Sequence, residues 1–142
     1  MTLASQTTPT VPGAPTSGEG YQPGICNIGP AEIARRRRAG HVGLGASIVL
    51  LAALVAIDAP PLSRLLVALP TAAAASGHLQ ARFRFCAGFG SRGIYNFGEL
   101  GQTAHVEDAE ARRRDRARAT QIGAASVAIG AGVGVVAALL PF

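Results

Sequence analysis

Formal charge is absent from three long stretches of this sequence. Residues 41–57 and 65–81 each run 17 residues without Asp, Glu or Arg, and residues 119–142 run 24. At about 1.5 Å per helical residue these stretches reach roughly 25 to 36 Å, close to the ~30 Å hydrocarbon core of a bilayer. Buried helices of a soluble, alanine-rich bundle would keep a polar face, and "GASIVLLAALVAI" has none. The pattern predicts an all-α integral membrane protein with three transmembrane helices.

Lysine is absent as well, because all 13 basic residues are Arg. Twelve of them lie just before the first span or between the second and the third, and only Arg64 lies near the turn at Asp58. The positive-inside rule therefore predicts a cytoplasmic N-terminus and second loop, with the Asp58 turn and the C-terminus outside. The expected anchors of this orientation are Arg35, Arg36, Arg37, Arg38, Arg82, Arg84, Arg112, Arg113 and Arg114.

The excess of arginine also bears on the partner. A net charge of +5 with clustered Arg would suit nucleic acid, but these clusters adjoin apolar spans, where contact with anionic lipid head groups explains them. We therefore expect a multi-pass protein of the cytoplasmic (inner) membrane of a bacterium that does not bind nucleic acid. Arg64, near the outer end of the second span, is expected to extend toward the head groups.

Cysteine is scarce, and recognisable catalytic groupings are missing. Cys26 and Cys86 both fall on the predicted cytoplasmic side, where they should be reduced thiols. No Ser, His and acid arrangement, phosphate loop or carboxylate pair is visible in the sequence. An autonomous enzyme is not expected, and no cofactor is predicted.

Composition divides the chain into four parts. Residues 1–23 are rich in Thr, Pro, Gly and Ser and are predicted to be a disordered cytoplasmic tail. Residues 24–94 form a two-span helical hairpin, in which Pro70 favours a kink. Residues 95–118 form a cytoplasmic loop and a charged helix, with expected ion pairs between Asp108 and Arg112 and between Glu110 and Arg114. Residues 119–142 form the third transmembrane helix.

Glycines in the spans suggest close helix packing. Gly130 and Gly134 form a small-xxx-small pair, and Gly123 and Gly43 are further candidates for packing contacts. The alternative is that Gly is simply abundant in this chain. The leading prediction is a small, non-enzymatic structural or accessory subunit, or a homo-oligomer, that packs against other membrane subunits or against itself.

One short motif occurs twice. "GICNIG" at residues 24–29 and "GIYNFG" at 93–98 agree at four of six positions, and each precedes an Arg cluster and a Gly-rich span. Asn27 and Asn96 are expected to close turns through side-chain to backbone hydrogen bonds, with Gly29 and Gly98 supplying permissive backbone.

The residues around the first copy resemble a known family. The first span opens with an Asn-x-Gly, an acid three residues after that Gly, an Arg and a further Gly. The second span closes with a Cys, an aromatic residue and a Gly-hydrophobic pair. These spacings resemble the YgaP-like small transmembrane domain, a two-span module also found attached to a membrane-bound rhodanese. The resemblance covers about residues 27–94 and implies a two-span fold in the membrane. The matching residues are Asn27, Gly29, Glu32, Arg36, Gly40, Cys86, Phe89, Gly93 and Ile94.

Two alternative functions remain open. Neighbouring Arg82, Arg84 and Arg92 would favour the nucleophilic thiolate of Cys86, and the resemblance to the rhodanese-linked module implies a possible sulfur carrier. Alternatively, His41 and His78 mark the same end of two antiparallel spans. With Cys26 and Cys86 they could bind zinc, or by themselves a haem iron.

Overall fold

The first helix of the computed structural model, α1, runs over Pro30–Ala56. The structure describes residues 20–141. Pro30 suits the first helical position, because its fixed φ is helical and the N–H it lacks would have no partner there. The helix is 27 residues long, or roughly 40 Å. It ends at a turn in which Asp58 has φ 50°.

The second span of the prediction is divided into two kinds of helix. A 3₁₀ helix over Pro61–Val67 leads directly into α2, Ala68–Phe83. The change lies just before Pro70, which cannot donate to the carbonyl four residues earlier. The structure therefore has a tighter helix upstream of Pro70, where the sequence predicted a kink.

A short irregular segment connects α2 to the last helix. It contains α3, Ala87–Arg92, followed by β1, Ile94–Tyr95, and β2, Ala104–His105, which pair antiparallel with Ile94 opposite His105. Phe85, which lies between α2 and α3, is fully buried and packs with Ala119 and Ile122.

The last helix, α4, runs over Ala109–Leu139 and joins the charged helix to the apolar third span without a break. The Asp108 carboxylate caps it by accepting a hydrogen bond of 2.7 Å from the Ala111 N–H. The expected pair of Asp108 with Arg112 is not formed, since Arg112 donates to the Val106 and Glu107 carbonyls instead. Glu110 and Arg114 do pair, at 3.3 Å.

Helix α2 packs against both α1 and α4, and glycines determine how closely. A Cβ added to Gly130 would lie 2.5 Å from the Ala68 carbonyl oxygen, and one added to Gly43 would lie 2.7 Å from the Ala74 nitrogen. Gly134 likewise faces Ala68. Gly123 differs from the prediction, because nothing lies within 4 Å of its missing Cβ and it faces away from the bundle.

Two helices are long and apolar enough to cross a membrane. They are α1 and α4, and only 17% and 28% of their most apolar windows are buried. Helix makes up 71% of the residues that the structure describes. By length and composition, the fold is therefore that of a mostly helical protein with two candidate membrane-spanning helices.

Two further expectations differ from the structure. The 1–23 tail lies mostly outside the described residues, but Tyr21 within it donates a hydrogen bond to Asp115 of α4. Arg64 does not extend outward: it is 4% exposed and donates to the Leu140 carbonyl at 2.9 Å. The last carbonyls of a helix have no partner within it and carry partial negative charge, so they attract an Arg more strongly than open surface does.

Candidate functional site

The two copies of the repeated motif lie side by side. Ile28 and Asn96 form a parallel bridge in which the Gly29 N–H donates to the Asn96 carbonyl at 2.8 Å and the Asn96 N–H donates to the Asn27 carbonyl at 3.0 Å. Gly29 is required there, because a Cβ would lie 2.9 Å from the Phe97 Cα. The two copies of the motif are thus joined to one another by a parallel bridge. We call residues 20–29 and 84–108 the cap.

Asn27 joins the two segments of the cap, just beyond the end of α2. Its Oδ1 accepts from the Cys86 N–H at 2.6 Å and its Nδ2 donates to the Cys86 carbonyl at 3.1 Å, with the Asn side chain fully buried. This differs from the expected local turn. Asn96 does form a turn, accepting from the Gly98 N–H and donating to the Glu99 carbonyl, both at 2.9 Å.

Cys86 contacts an arginine that the sequence did not pair with it. Arg36 Nη2 lies 2.9 Å from Cys86 Sγ and 3.5 Å from Glu32 Oε2, and its guanidinium carbon lies 5.7 Å from the Phe89 ring centroid. Glu32 and Cys86 are 1% and 2% exposed. The two ends of the matched motif therefore meet in one buried cluster: Asn27, Glu32, Arg36, Cys86 and Phe89.

The remaining motif glycines have structural roles nearby. Gly93 ends α3 with φ 69°, a left-handed conformation that favours glycine, and precedes Ile94 of β1. Gly40 faces His78, where a Cβ would lie 2.9 Å from the imidazole Cδ2. These positions allow close approach and carry no chemistry of their own.

His41 and His78 face one another, but their geometry does not suit the proposed ligands. Their ring centroids are 4.9 Å apart in an edge-to-face contact, which leaves no space for a haem between them. Among residues 20–141, no group of three or more His, Cys, Asp and Glu side chains could hold a metal. The set with Cys26 and Cys86 is therefore not assembled.

The anchor arginines all lie at one end of the bundle. Arg35 to Arg38 occupy the start of α1, Arg82 and Arg84 the end of α2, and Arg112 to Arg114 the start of α4. We call this the Arg-rich end. Not all of them are free to meet lipid, because Arg36 is in the buried cluster and Arg112 binds the carbonyls before α4.

Asp115 is a buried residue that sequence reasoning missed. Its carboxylate is fully buried and accepts from the Tyr21 hydroxyl at 2.8 Å and the Gly24 N–H at 2.7 Å. Tyr21 stacks on Tyr95 at 4.9 Å. Burial, the hydrogen bond to Asp115 and its negative charge raise the pKa of Tyr21. A signal existed, since Asp115 is the one acid inside "RRRDRAR".

Comparison with known proteins gives no relative for this chain. No family model, no curated protein and no solved structure matches it.

Proposed function

We propose that this chain is a non-enzymatic, three-span integral membrane protein that serves as a structural or accessory subunit. The observation that carries the proposal is a zone of exposed apolar side chains on every long helix, with no charged side chain exposed within it. Such a surface is costly in water and favourable in lipid. It includes Val42, Ile48, Val49, Leu62, Leu66, Leu69, Val127, Val133, Val136 and Leu139.

The middle helix supplies the third span in this proposal. The 3₁₀ helix and α2 together cover residues 61–83, which comes to roughly 38 Å at ~2.0 and ~1.5 Å per residue. Because α2 lies between α1 and α4, a bundle that spans with its outer helices also spans with α2. Polar groups inside are satisfied locally: Ser47 donates to the Gly43 carbonyl and Thr71 to Ser47.

The orientation follows from the Arg-rich end. Arginines at the start of α1, the end of α2 and the start of α4 favour a cytoplasmic cap in a bacterial inner membrane. The Asp58 turn then lies outside. The resemblance to the YgaP-like module agrees with this arrangement, because the buried cluster joins the two ends of its two-span unit.

Packing with a partner must use a surface other than the Gly130 and Gly134 groove, which α2 already fills. Gly45 on α1 and Gly123 and Gly132 on α4 face outward, and nothing lies within 4 Å of their missing Cβ atoms. Small residues on lipid-facing surfaces allow close approach of another helix. A second copy or another membrane subunit would bind there.

Topology is tested first. The Asp58→Cys and Gln102→Cys variants are labelled with a membrane-impermeant maleimide in intact spheroplasts and in inverted vesicles, with wild type as the background for Cys26 and Cys86. We expect Asp58→Cys to react only in spheroplasts and Gln102→Cys only in vesicles. Reaction of both variants from the same side would rule out three spans.

The partner surface is tested with Gly123→Leu, and Gly130→Leu serves as the contrast. In mild detergent, we expect Gly123→Leu to reduce the oligomer mass or the co-purifying subunits while leaving the Tm within about 2 °C of wild type. If Gly123→Leu, Gly45→Leu and Gly132→Leu all left the assembly unchanged, the proposal that a partner packs at these outward-facing glycines would be contradicted.

A second candidate function is a thiol carrier, which the 2.9 Å contact of Arg36 with Cys86 Sγ favours. The Cys86 thiolate would attack the outer sulfur of a donor persulfide, forming a persulfide on Cys86 and releasing the donor as a thiolate. Burial of Cys86 means that the cap must open first. Incubation with a persulfide donor and mass spectrometry should find the added sulfur on Cys86 rather than on Cys26; sulfur on Cys26 alone would exclude the role.

A further inference from the structure

A large cleft opens at the Arg-rich end, outside the buried cluster. Its volume is about 1070 Å³, and it lies between the cap, the start of α1, the end of α2 and Arg118 of α4. Four arginines line it, and no carboxylate does among the described residues: Arg37, Arg82, Arg84 and Arg118. Four positive charges around one cleft, with no acid to balance them, favour binding of an anion.

Arg118 lines the cleft and keeps N–H donors that form no hydrogen bond among the described residues. Its guanidinium carbon lies 4.4 Å from the Phe83 ring centroid, and Nη1 donates to Gln121 at 3.3 Å. Its Nε is buried and has no hydrogen-bond partner among residues 20–141. A guanidinium has five N–H donors, and the hydrogen bond to Gln121 uses only one of them, so the Nη groups keep donors for an anion in the cleft.

Arg84 occupies a position that glycine would fill more easily. It ends α2 with φ 52°, and its carbonyl accepts from the Asn27 and Ile28 N–H groups at 3.1 and 3.3 Å. A side chain at a left-handed helix end adds strain that glycine avoids. An Arg at this position is explained if its guanidinium is needed in the lining of the cleft.

Apart from Gln22, the remaining lining is mostly apolar, and part of it lies on α1 and α2. Ile33, Ala34, Ala81 and Phe83 line the cleft on α1 and α2, directly beside the first uncharged turns of the spans. A ligand that fits has an anionic head and an apolar tail. Free inorganic phosphate would use only the arginines.

We propose that this cleft binds the phosphate head group of one anionic glycerophospholipid, with its acyl chains along α1 and α2. The inference rests on the membrane location proposed above. It goes beyond general attraction of arginines to a charged bilayer, because it assigns one lipid to one set of residues. Guanidinium groups suit this role, since each can bind phosphate oxygens with two N–H groups.

Native mass spectrometry of the full chain in mild detergent tests the proposal. Phosphatidylglycerol is titrated, with phosphatidylcholine as the neutral lipid. We compare Arg37→Gln/Arg82→Gln/Arg118→Gln with Arg38→Gln/Arg113→Gln/Arg116→Gln, whose exposed arginines lie outside the cleft and whose net charge is the same. Wild type should retain one phosphatidylglycerol, the cleft variant should bind it at least about tenfold more weakly, and the control should change less than about twofold.

Several outcomes overturn the proposal. Equal losses in the two variants would mean non-specific attraction, and equal retention of phosphatidylcholine would mean that charge does not select the lipid. Competition by millimolar inorganic phosphate, with no preference for the lipid, would assign the cleft to a free anion. Extraction from membranes by alkaline carbonate is measured in parallel: release of the protein contradicts the proposed function, whereas retention without bound lipid contradicts this inference alone.

Discussion

The cap and the helical bundle are held together in different ways. In the bundle, Gly43, Gly77 and Gly130 bring helix backbones into contact, and side-chain hydrogen bonds such as Thr71 to Ser47 add to this packing. In the cap, Asn27 binds the Cys86 backbone far away in the chain, and Tyr21 joins the cap to Asp115 of α4.

The difference reflects the state of the backbone in each region. A helix satisfies its own N–H and C=O groups, so its contacts with neighbours depend on how closely the surfaces fit. The irregular segments of the cap have no such internal pattern, and each buried backbone group needs a specific partner. The fit of helix surfaces therefore determines how the bundle packs, and the matching of hydrogen-bond donors with acceptors determines how the cap is held together.

The largest expected effect is in the bundle. Gly130→Ala should destabilise the protein by about 3 kcal/mol, because the new methyl group meets the Ala68 carbonyl at 2.5 Å. Gly132→Ala, two residues on, meets nothing within 4 Å and should change stability by less than about 1 kcal/mol. Thermal unfolding in detergent measures both. Equal effects would mean that α2 and α4 do not pack as described.

A smaller effect is expected in the cap. Asn27→Ala leaves the Cys86 N–H buried without a partner, while the Cys86 carbonyl keeps its bond from the Gly90 N–H, and the change should cost about 2 kcal/mol. Asn96→Ala should cost about 1 kcal/mol, since its bonds serve a partly exposed turn that water can reach. Chemical unfolding measured on both variants checks the order. A larger loss of stability for Asn96→Ala would show that the turn at Asn96 contributes more to stability than the link from Asn27 to Cys86.

The smallest effect concerns Tyr21 and depends on pH. The raised pKa means that the folded protein holds the phenol proton more tightly than the unfolded chain, so this stabilisation is present below about pH 10 and is lost as pH rises further. Tyr21→Phe should cost about 1 kcal/mol at neutral pH and lose less stability than wild type above pH 10. Parallel pH profiles for the two proteins would contradict the contact with Asp115.

Prediction from sequence worked best for long elements. Helix α4 continues from the charged segment into the apolar span as expected, because periodicity and charge act over many residues. Prediction worked less well for individual side chains. Asn27 and Asn96 occupy the same position of the Gly-Ile-x-Asn-x-Gly motif, yet one links two distant segments and the other closes a turn, because α2 ends beside only one of them.

The buried cluster was only partly foreseeable. The spacing that resembles the YgaP-like module selected Glu32, Arg36 and Cys86, but local charge indicated Arg82, Arg84 and Arg92 as the partners of Cys86. A residue four positions after Glu32 lies on the same face of α1, which turns Arg36 inward toward Cys86.

Amino-acid sequence by itself determined the length of the apolar helices and the collection of arginines at their adjoining ends, because hydrophobicity and charge are properties of local composition. Tertiary structure decided which of several similar residues forms a given contact. Gly130 contacts α2 and Gly132 does not, and Arg36 contacts Cys86 while Arg37 lines an open cleft. The physical reason is rotation: successive residues of a helix point in different directions, and only the position of the neighbouring helix selects one of them.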